Sequence, residues 1–247
     1  MDDTILPVAP QIWLFPCDDD EDNRRIQPGV GIICTTSQTI LVDGGNGPAH
    51  ARRIHTVLQH LNAPPVRYLI YTHHHWDHVF GAQIFDAATI AHDSCREFLL
   101  ATARQPWSRG YIAGCIQENP RLELSYTALM NALGDEQALQ VCVPSLTFSH
   151  KMHLVVDELT IELEHVGGQH AADSIVVRVS EAGVIFLGDC YYPPPLHLRT
   201  SEPVADWMML ESLLDERYEW YIEGHNLPQT REEVGAAVAE MKAEHIE

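Results

Sequence analysis

Short apolar runs and longer segments of helical periodicity alternate along the chain. Three short runs near its start predict strands over residues 11–15, 30–35 and 39–43. The next segment, PAHARRIHTVLQHL, repeats its apolar residues at helical spacing and predicts a helix. It is followed by VRYLIYT, a nearly continuous apolar run typical of a strand buried on both faces.

The second half of the chain returns to strands after a helical stretch. Residues 93–134 read as largely helical, and residues 146–166 as strands joined by short turns. SIVVRVS and GVIFLGD form a hairpin-like pair, and a final helix begins at about Arg231. Too many neighbouring strands join by short turns for one doubly wound sheet, so the pattern predicts two sheets with helices outside them. No repeat or linker divides the chain, which predicts a single domain over residues 1–247.

Composition narrows the classes of partner. The chain has 15 basic and 35 acidic residues, a net charge of −20, which disfavours nucleic acid and anionic membranes as partners. The six cysteines are scattered without a CxxC pair, as in reduced intracellular proteins. No signal-peptide pattern or run of transmembrane length is visible. We therefore expect a cytoplasmic protein, monomeric or homodimeric, that acts on a small molecule.

The segment THHHWDH has the highest density of potential metal ligands in the chain and directly follows the predicted buried strand VRYLIYT. In extended backbone, side chains two positions apart point the same way, so His73 and His75 can converge on one ion while His74 faces away. Asp77 and His78 lie past the bend and can reach a second ion. Imidazoles together with carboxylates suit zinc, and also iron or manganese.

An HxHxDH motif after a hydrophobic strand resembles the signature of the metallo-β-lactamase superfamily. Four further motifs of that family occur in order along the chain: LVDGG with Asp43, GGQHAADS with His170, FLGD with Asp189, and IEGH with His225. The resemblance implies an α/β fold of the αββα sandwich type, with two mixed sheets face to face and helices on the outer faces.

The resemblance also implies a centre for two divalent metal ions, zinc by preference, with iron or manganese as alternatives. The residues that match the family's ligands are His73, His75 and His170 for one ion, Asp77, His78 and His225 for the other, and Asp189 as the bridge. Asp43 would lie outside these ligands and orient one of the histidines. The implied activity is that of a binuclear metallohydrolase, in which a metal-bridging hydroxide attacks the substrate and Asp77 orients it.

The expected substrate is a small lactone, thioester or carboxylic ester. Tyr192 lies three residues after Asp189, where acyl-homoserine-lactone lactonases have a tyrosine that contacts the substrate carbonyl, so it is a candidate oxyanion donor. Packing within the tyrosine- and proline-rich loop CYYPPP is the alternative for this residue.

Three other functions stay open at this stage. These are a single-iron sulfur dioxygenase, a β-lactam-hydrolysing member, and a non-catalytic metal-binding module. The Asp189 bridge and the missing export signal argue against a dedicated β-lactamase. The complete ligand set argues against a non-catalytic protein.

Several residues around the motifs have competing interpretations. A register slip of one residue would replace Asp189 by Cys190 as a ligand, and His165 competes with His170. The histidines expected to be structural or at the surface are His50, His55, His60, His150 and His153. The candidates for the substrate pocket are Trp107, Arg109, Tyr111 and, as a carboxylate-binding group, Arg199.

Overall fold

The computed structural model describes residues 5–20, 26–199 and 204–246, which form two mixed β-sheets and seven α-helices. The first sheet has seven strands in the order β1-β2-β3-β4-β5-β6-β7. They are β1 Leu6–Ala9, β2 Ile12–Phe15, β3 Val30–Cys34, β4 Thr39–Val42, β5 Val66–Ile70, β6 Ala88–His92 and β7 Leu146–Phe148. Strands β1 to β4 pair antiparallel, whereas β4 to β7 run parallel.

The second sheet has six strands in the order β13-β12-β11-β10-β9-β8. They are β8 Lys151–Val156, β9 Leu159–His165, β10 Ile175–Val179, β11 Val184–Gly188, β12 Trp220–Glu223 and β13 Gln229–Thr230. Strands β10 and β11 form the predicted antiparallel pair, and β11 pairs parallel with β12. Each sheet therefore has parallel neighbours whose carboxyl ends share one edge.

The helices follow the strands that they connect. They are α1 Pro48–His60, α2 Trp76–Val79, α3 Asp93–Thr102, α4 Arg109–Glu118, α5 Glu123–Ala132, α6 Trp207–Ser212 and α7 Arg231–Ile246. Helix α1 begins with a proline at its first turn, where the missing amide N–H costs nothing. Parallel strands cannot be joined by a tight turn, and α1 makes the crossover from β4 to β5.

Apolar side chains fill three layers. Between the sheets, Ile40 and Ile70 of the first sheet belong to the same buried cluster as Val177 and Phe186 of the second. On the outer faces, α1 packs its Ile54 against the first sheet, and α7 packs against the second. The architecture is the predicted α/β sandwich of two mixed sheets with helices outside, which confirms the predicted fold class.

Two local predictions need correction. Strand β1 was not expected, because LPVA is short and half-exposed. The histidine run is not extended backbone: β5 ends at Ile70, residues 72–74 bend, and α2 begins at Trp76. The single-domain organisation stays a prediction. In the described part of the chain, no helix combines the length and the apolar character needed to cross a membrane.

Candidate metal centre

Five motifs meet at one edge of the sandwich because the strands before them end there. Asp43 follows β4, and the histidine run follows β5, the parallel neighbour of β4. Asp189 follows β11, and His225 lies just past β12, which is parallel to β11. In α/β sheets, functional groups collect beyond the carboxyl ends of parallel strands. The loop between β9 and β10 adds His170 to this edge.

Three ring nitrogens converge in a first donor group. Nε2 of His73 lies 3.0 Å from Nδ1 of His75, which in turn lies 2.9 Å from Nε2 of His170. A neutral imidazole has one nitrogen lone pair, and three nitrogens facing one point cannot all be paired by hydrogen bonds among themselves. A cation at that point would accept all three lone pairs, so the group could hold a metal ion.

A second donor group consists of Asp77, His78 and His225. Oδ2 of Asp77 lies 3.5 Å from Nε2 of His225 and 3.7 Å from Nε2 of His78. Both histidines sit beside carboxylates, and their ring nitrogens point toward the same space. This group also could hold a metal ion.

Asp189 lies between the two groups. Its Oδ2 is 3.3 Å from Nε2 of His170, in the first group, and 3.2 Å from Nε2 of His225, in the second. It is also 3.5 Å from Nε2 of His78. One carboxylate oxygen is therefore within reach of donors from both groups.

Unpartnered polar atoms support a fit to metal. Among the described residues, Nε2 of His78 and Oδ1 of Asp189 are buried without a hydrogen-bond partner. Buried polar atoms are nearly always satisfied, and an absent ion is a standard reason for an exception. Imidazole nitrogens and carboxylate oxygens are also the donors that zinc, iron and manganese accept. The residues of the site thus fit divalent metal ions.

Electrostatics differ between the two groups. Burial, reinforced by neighbouring imidazoles, holds the pKa of His73 and His75 well below the ordinary histidine value. Burial alone would lower the pKa of His78 and His225 too. The surrounding carboxylates, with Asp189 foremost, instead raise the pKa of His78 well above its usual value and that of His225 to about 10. His73 and His75 can therefore offer neutral lone pairs, whereas a metal ion at His78 and His225 must compete with protons.

Outer hydrogen bonds turn the rings toward the centre. Nδ1 of His78 donates to Oδ2 of Asp43 over 2.7 Å, so its Nε2 faces the donor groups. Nδ1 of His170 donates in the same way to the Pro193 carbonyl over 2.9 Å. Metal-binding histidines commonly use their second nitrogen like this, which fixes tautomer and ring orientation.

Gly224, in the IEGH motif, permits the close packing of this edge. A Cβ at that position would collide with Oδ1 of Asp189 and approach Cε1 of His78 to 2.9 Å. Any larger residue would therefore displace the carboxylate or the imidazole. The sequence contains this glycine within IEGH, but the motif predicts a role only for its histidine.

The two residues that compete with Asp189 and His170 are not members of the donor groups. Cys190 is fully buried in the cluster between the second sheet and its helices. His165 donates to the Ala172 carbonyl over 2.9 Å and stacks on His92 with ring centroids 3.7 Å apart. Within the described residues, the metal-competent groups include Asp189 and His170 and neither Cys190 nor His165.

A cavity of about 350 Å³ opens beside the donor groups. Its walls are largely apolar and include Trp76, Leu124 and Leu196, and two arginines, Arg121 and Arg199, line it as well. Arg121 donates to the Arg199 carbonyl over 3.0 Å and so ties the helical segment to the loop after β11.

The three pocket candidates from the helical segment do not line it, in agreement with the structural role that was the alternative for each. Trp107 lies in the core behind the first sheet and donates to the Thr102 carbonyl. Arg109 bonds the Gly134 carbonyl at the surface, and Tyr111 packs beside Trp107. The helical segment does reach the pocket, but through Arg121 and Leu124, because α5 rather than α4 passes the metal edge.

Tyr192 lines the pocket, with its ring centroid 6.2 Å from those of His170 and His225. Its hydroxyl donates to Oε2 of Glu223 over 2.8 Å. Glu223 is 3 % exposed and also accepts from Tyr191 over 2.5 Å. The sequence does not predict a role for the Glu223 carboxylate, because its position in IEGH is the only feature that sets it apart from other glutamates.

Comparisons with known proteins bear on this arrangement. Residues 26–114, which contain Asp43 and the HxHxDH motif, match the family model described as the metallo-beta-lactamase superfamily. No curated protein sequence matches the chain.

Solved structures resemble the whole chain at low sequence identity. A metallo-beta-lactamase from Pontibacter korlensis is 15 % identical with a TM-score of 0.65, covering 97 % of this chain and 98 % of its own. The metallo-beta-lactamase FIM-1 from Pseudomonas aeruginosa, in a mono-zinc form, is 16 % identical with a TM-score of 0.63, covering 99 % and 96 %. The sec-alkylsulfatase Pisa1 from Pseudomonas sp. is 18 % identical with a TM-score of 0.67, covering 96 % of this chain but 40 % of its own.

The match of residues 26–114 to the family model and the fold shared with these structures confirm the resemblance to the metallo-β-lactamase superfamily that the motifs indicate. Proteins of this superfamily are generally metallohydrolases, and the histidine and aspartate groups of this chain could bind metal.

Proposed function

We propose that the protein is a hydrolase that uses two divalent metal ions, zinc by preference, to cleave a small ester-like substrate. The observation that carries this proposal is the position of Asp189. Its Oδ2 lies 3.2–3.5 Å from ring nitrogens of His170, His78 and His225, between the two donor groups. A carboxylate shared by two cation-binding groups suits a binuclear centre.

The proposed ligand roles follow from the two donor groups. His73, His75 and His170 would hold one ion, Asp77, His78 and His225 would hold the other, and Asp189, whose Oδ2 lies near both groups, would be a ligand shared by them. When bound, such a pair of ions lowers the pKa of water and polarises the substrate carbonyl. Asp43 orients His78 through the hydrogen bond at Nδ1.

Two further side chains act on the substrate side. In this proposal Asp77, which lines the pocket, accepts a hydrogen bond from the attacking water. Tyr192 donates its hydroxyl to the oxygen that gains charge as the carbonyl is attacked. Since this hydroxyl donates to Glu223 in the structure, the role requires the bond to Glu223 to be exchanged for one to the substrate.

A small, partly apolar substrate suits the pocket. A volume of about 350 Å³ lies at the small end of ligand sites, and its apolar walls suit the chain of a lactone, thioester or carboxylic ester. A net charge of −20 disfavours polyanionic nucleic acid as a substrate. Location in the cytoplasm, the monomeric or homodimeric state and the lack of membrane partners stay predictions.

A substrate panel tests this function. Zinc-loaded protein is assayed with lactones, thioesters, carboxylic esters, β-lactams and phosphodiesters, and the same panel is repeated after chelation. We expect the best turnover among the first three classes, lost on chelation and restored by zinc. A phosphodiester or β-lactam as the best substrate would contradict the assignment of substrate class, and turnover that survives complete metal removal would contradict the metal-dependent mechanism.

A further inference from the structure

His74, the middle residue of the histidine run, has a partner of its own. Its ring is directed away from the two donor groups, and its Nδ1 donates to Oδ1 of Asp173 over 2.7 Å. Asp173 is fully buried, whereas the His74 side chain is 26 % exposed. The other carboxylate oxygen, Oδ2, has no hydrogen-bond partner among the residues that the structure describes. A buried carboxylate is strongly unfavourable unless it is paired, so this hydrogen bond is firmly held.

The pair joins two segments that both belong to the first donor group. His74 stands between His73 and His75, and Asp173 lies three residues after His170. A second connection runs between the same segments, since the amide of Ile175 donates to the Thr72 carbonyl over 2.9 Å. That bond extends β10 to the start of the histidine run. The His74–Asp173 bond ties the two segments together a second time, through side chains.

We propose that His74 and Asp173 are positioning residues whose hydrogen bond holds the His73–His75 segment against the His170 segment and so sets the geometry of the first metal site. The inference rests on the proposed metal centre but not on its substrate. Three nitrogens must lie at bonding distance from one ion, and they come from two segments that the covalent chain separates by almost a hundred residues. Outer contacts that fix such ligands affect metal affinity strongly.

The ring of His74 offers a competing explanation. It lies 4.3 Å from the Phe98 ring and 4.7 Å from the His75 ring, between centroids. Packing between Phe98 and His75 could position His75 without any hydrogen bond. The two explanations differ in what a substitute for His74 must keep. Positioning by the hydrogen bond needs a donor near the place of Nδ1, whereas positioning by packing needs a ring.

A crossed pair of variants separates them. His74→Phe keeps the ring and removes the donor, whereas His74→Asn keeps a donor near the position of Nδ1 and removes the ring. The matched control is His153→Phe, which breaks the exposed pair of His153 with Glu162, 3.2 Å apart and remote from the site. For each protein, zinc affinity is measured by competition with a chromophoric chelator, and the unfolding of the metal-free form is measured in parallel.

We expect His74→Phe to weaken zinc binding at one of the two sites, the one with His73, His75 and His170, about 10–100-fold, the range for lost outer contacts, and His74→Asn to stay within about threefold of the wild type. The control should not change. Equal affinity in all the proteins would overturn the proposal, as would loss in the Asn variant with retention in the Phe variant. A lower metal-free stability of His74→Phe with unchanged zinc affinity would reduce the pair to a purely structural role.

The outcome for the proposed function is read separately. If His74→Phe does not fold, the Asn variant still decides, because loss of zinc affinity in that variant contradicts the proposal. Wild-type protein that binds zinc but hydrolyses no member of the panel would refute the hydrolase and leave this test intact. Wild-type protein that binds no zinc would overturn both.

Discussion

Oδ2 of Asp43 lies 2.7 Å from Nδ1 of His78, and Oδ1 of the same carboxylate accepts from the Thr72 amide over 2.8 Å. Asp43 thus contacts both ends of the segment that holds the histidine run. Its backbone has φ 68°, in the left-handed region, which aspartate and asparagine adopt more readily than most residues. The residue after β4 therefore connects the first sheet to the orientation of a histidine at the metal edge.

Asp43→Asn should weaken metal binding at the site that contains His78. The carboxylate accepts from the Thr72 amide, the Thr72 hydroxyl and Nδ1 of His78, whereas an asparagine amide has one acceptor oxygen. We expect the affinity of that site for zinc to fall about 10–100-fold, measured by chelator competition. The control is Asp86→Asn, at an exposed aspartate. Unchanged affinity would remove Asp43 from the account.

Asp189→Asn should abolish hydrolysis while the protein stays folded. The substitution keeps the shape of the side chain but removes the charge that faces both donor groups, so two cations are no longer compensated. Activity, zinc stoichiometry and circular dichroism are measured together, and His75→Ala should behave alike. Cys190→Ala is the control, since that thiol packs in the core. Loss of metal in Cys190→Ala with retention in Asp189→Asn would show that the alternative register is correct.

The motifs predicted most of this edge because each stands at the end of a predicted strand. HxHxDH, GGQH, FLGD and IEGH contain the residues of the two donor groups and Asp189, and IEGH also contains the glycine that lets Asp189 and His78 approach. The sequence predicts correctly that His74 points away from His73 and His75. It predicts this from extended backbone, whereas the segment bends there. His74 and His75 still point in different directions because the backbone of His75 itself is extended, with φ −64° and ψ 143°.

Sequence patterns do not predict which residues line the pocket. Which of several helices passes the metal edge depends on tertiary packing, and α5 takes that place instead of the segment with Trp107. The sequence patterns also do not mark Asp173 and Glu223. A buried carboxylate is recognised by the residues that it contacts in the folded protein. His74 lies 99 positions from Asp173 in the chain. Tyr192 and Tyr191 lie 31 and 32 positions from Glu223.

Tyr192→Phe should reduce kcat about 10²–10³-fold with a smaller change in KM, if its hydroxyl stabilises the developing oxyanion. Tyr191→Phe is a close control, because Tyr191 donates to the same Glu223 carboxylate but is not part of the pocket lining. Steady-state kinetics on the best substrate of the panel measures both. Equal effects of the two substitutions would indicate that the hydroxyls act through Glu223, and no effect of Tyr192→Phe would return it to packing.

His50 should make the fold sensitive to acid. Burial, with a contribution from Arg53, lowers the pKa of His50 to about 3, and its Nδ1 faces the Asn46 amide at 3.4 Å. The unfolded chain, with a histidine pKa near 6.5, binds the proton more tightly. The contribution of His50 to the free energy of unfolding is therefore complete above pH ~6.5 and falls below it, by up to about 1.4 kcal/mol per pH unit, until the pH approaches about 3.

Denaturant unfolding of metal-free protein at several pH values measures this effect. His50→Asn, which keeps an acceptor for the Asn46 amide, should flatten the slope between pH ~6.5 and the acid limit by about one proton. His55→Asn, at an exposed position of the same helix, should leave the slope unchanged. The same slope in His50→Asn and wild type would show that His50 is not the responsible group.

The most direct test of the two-metal centre is a titration of metal-free protein with zinc, with bound metal counted by elemental analysis after removal of the excess. The account predicts that two ions bind per chain and that hydrolysis rises with them. It also predicts that His75→Ala and His225→Ala, from the two donor groups, each retain fewer ions. Protein that takes up no zinc, iron or manganese would contradict the central claim, and uptake of a single ion in fully active protein would contradict the binuclear form of it.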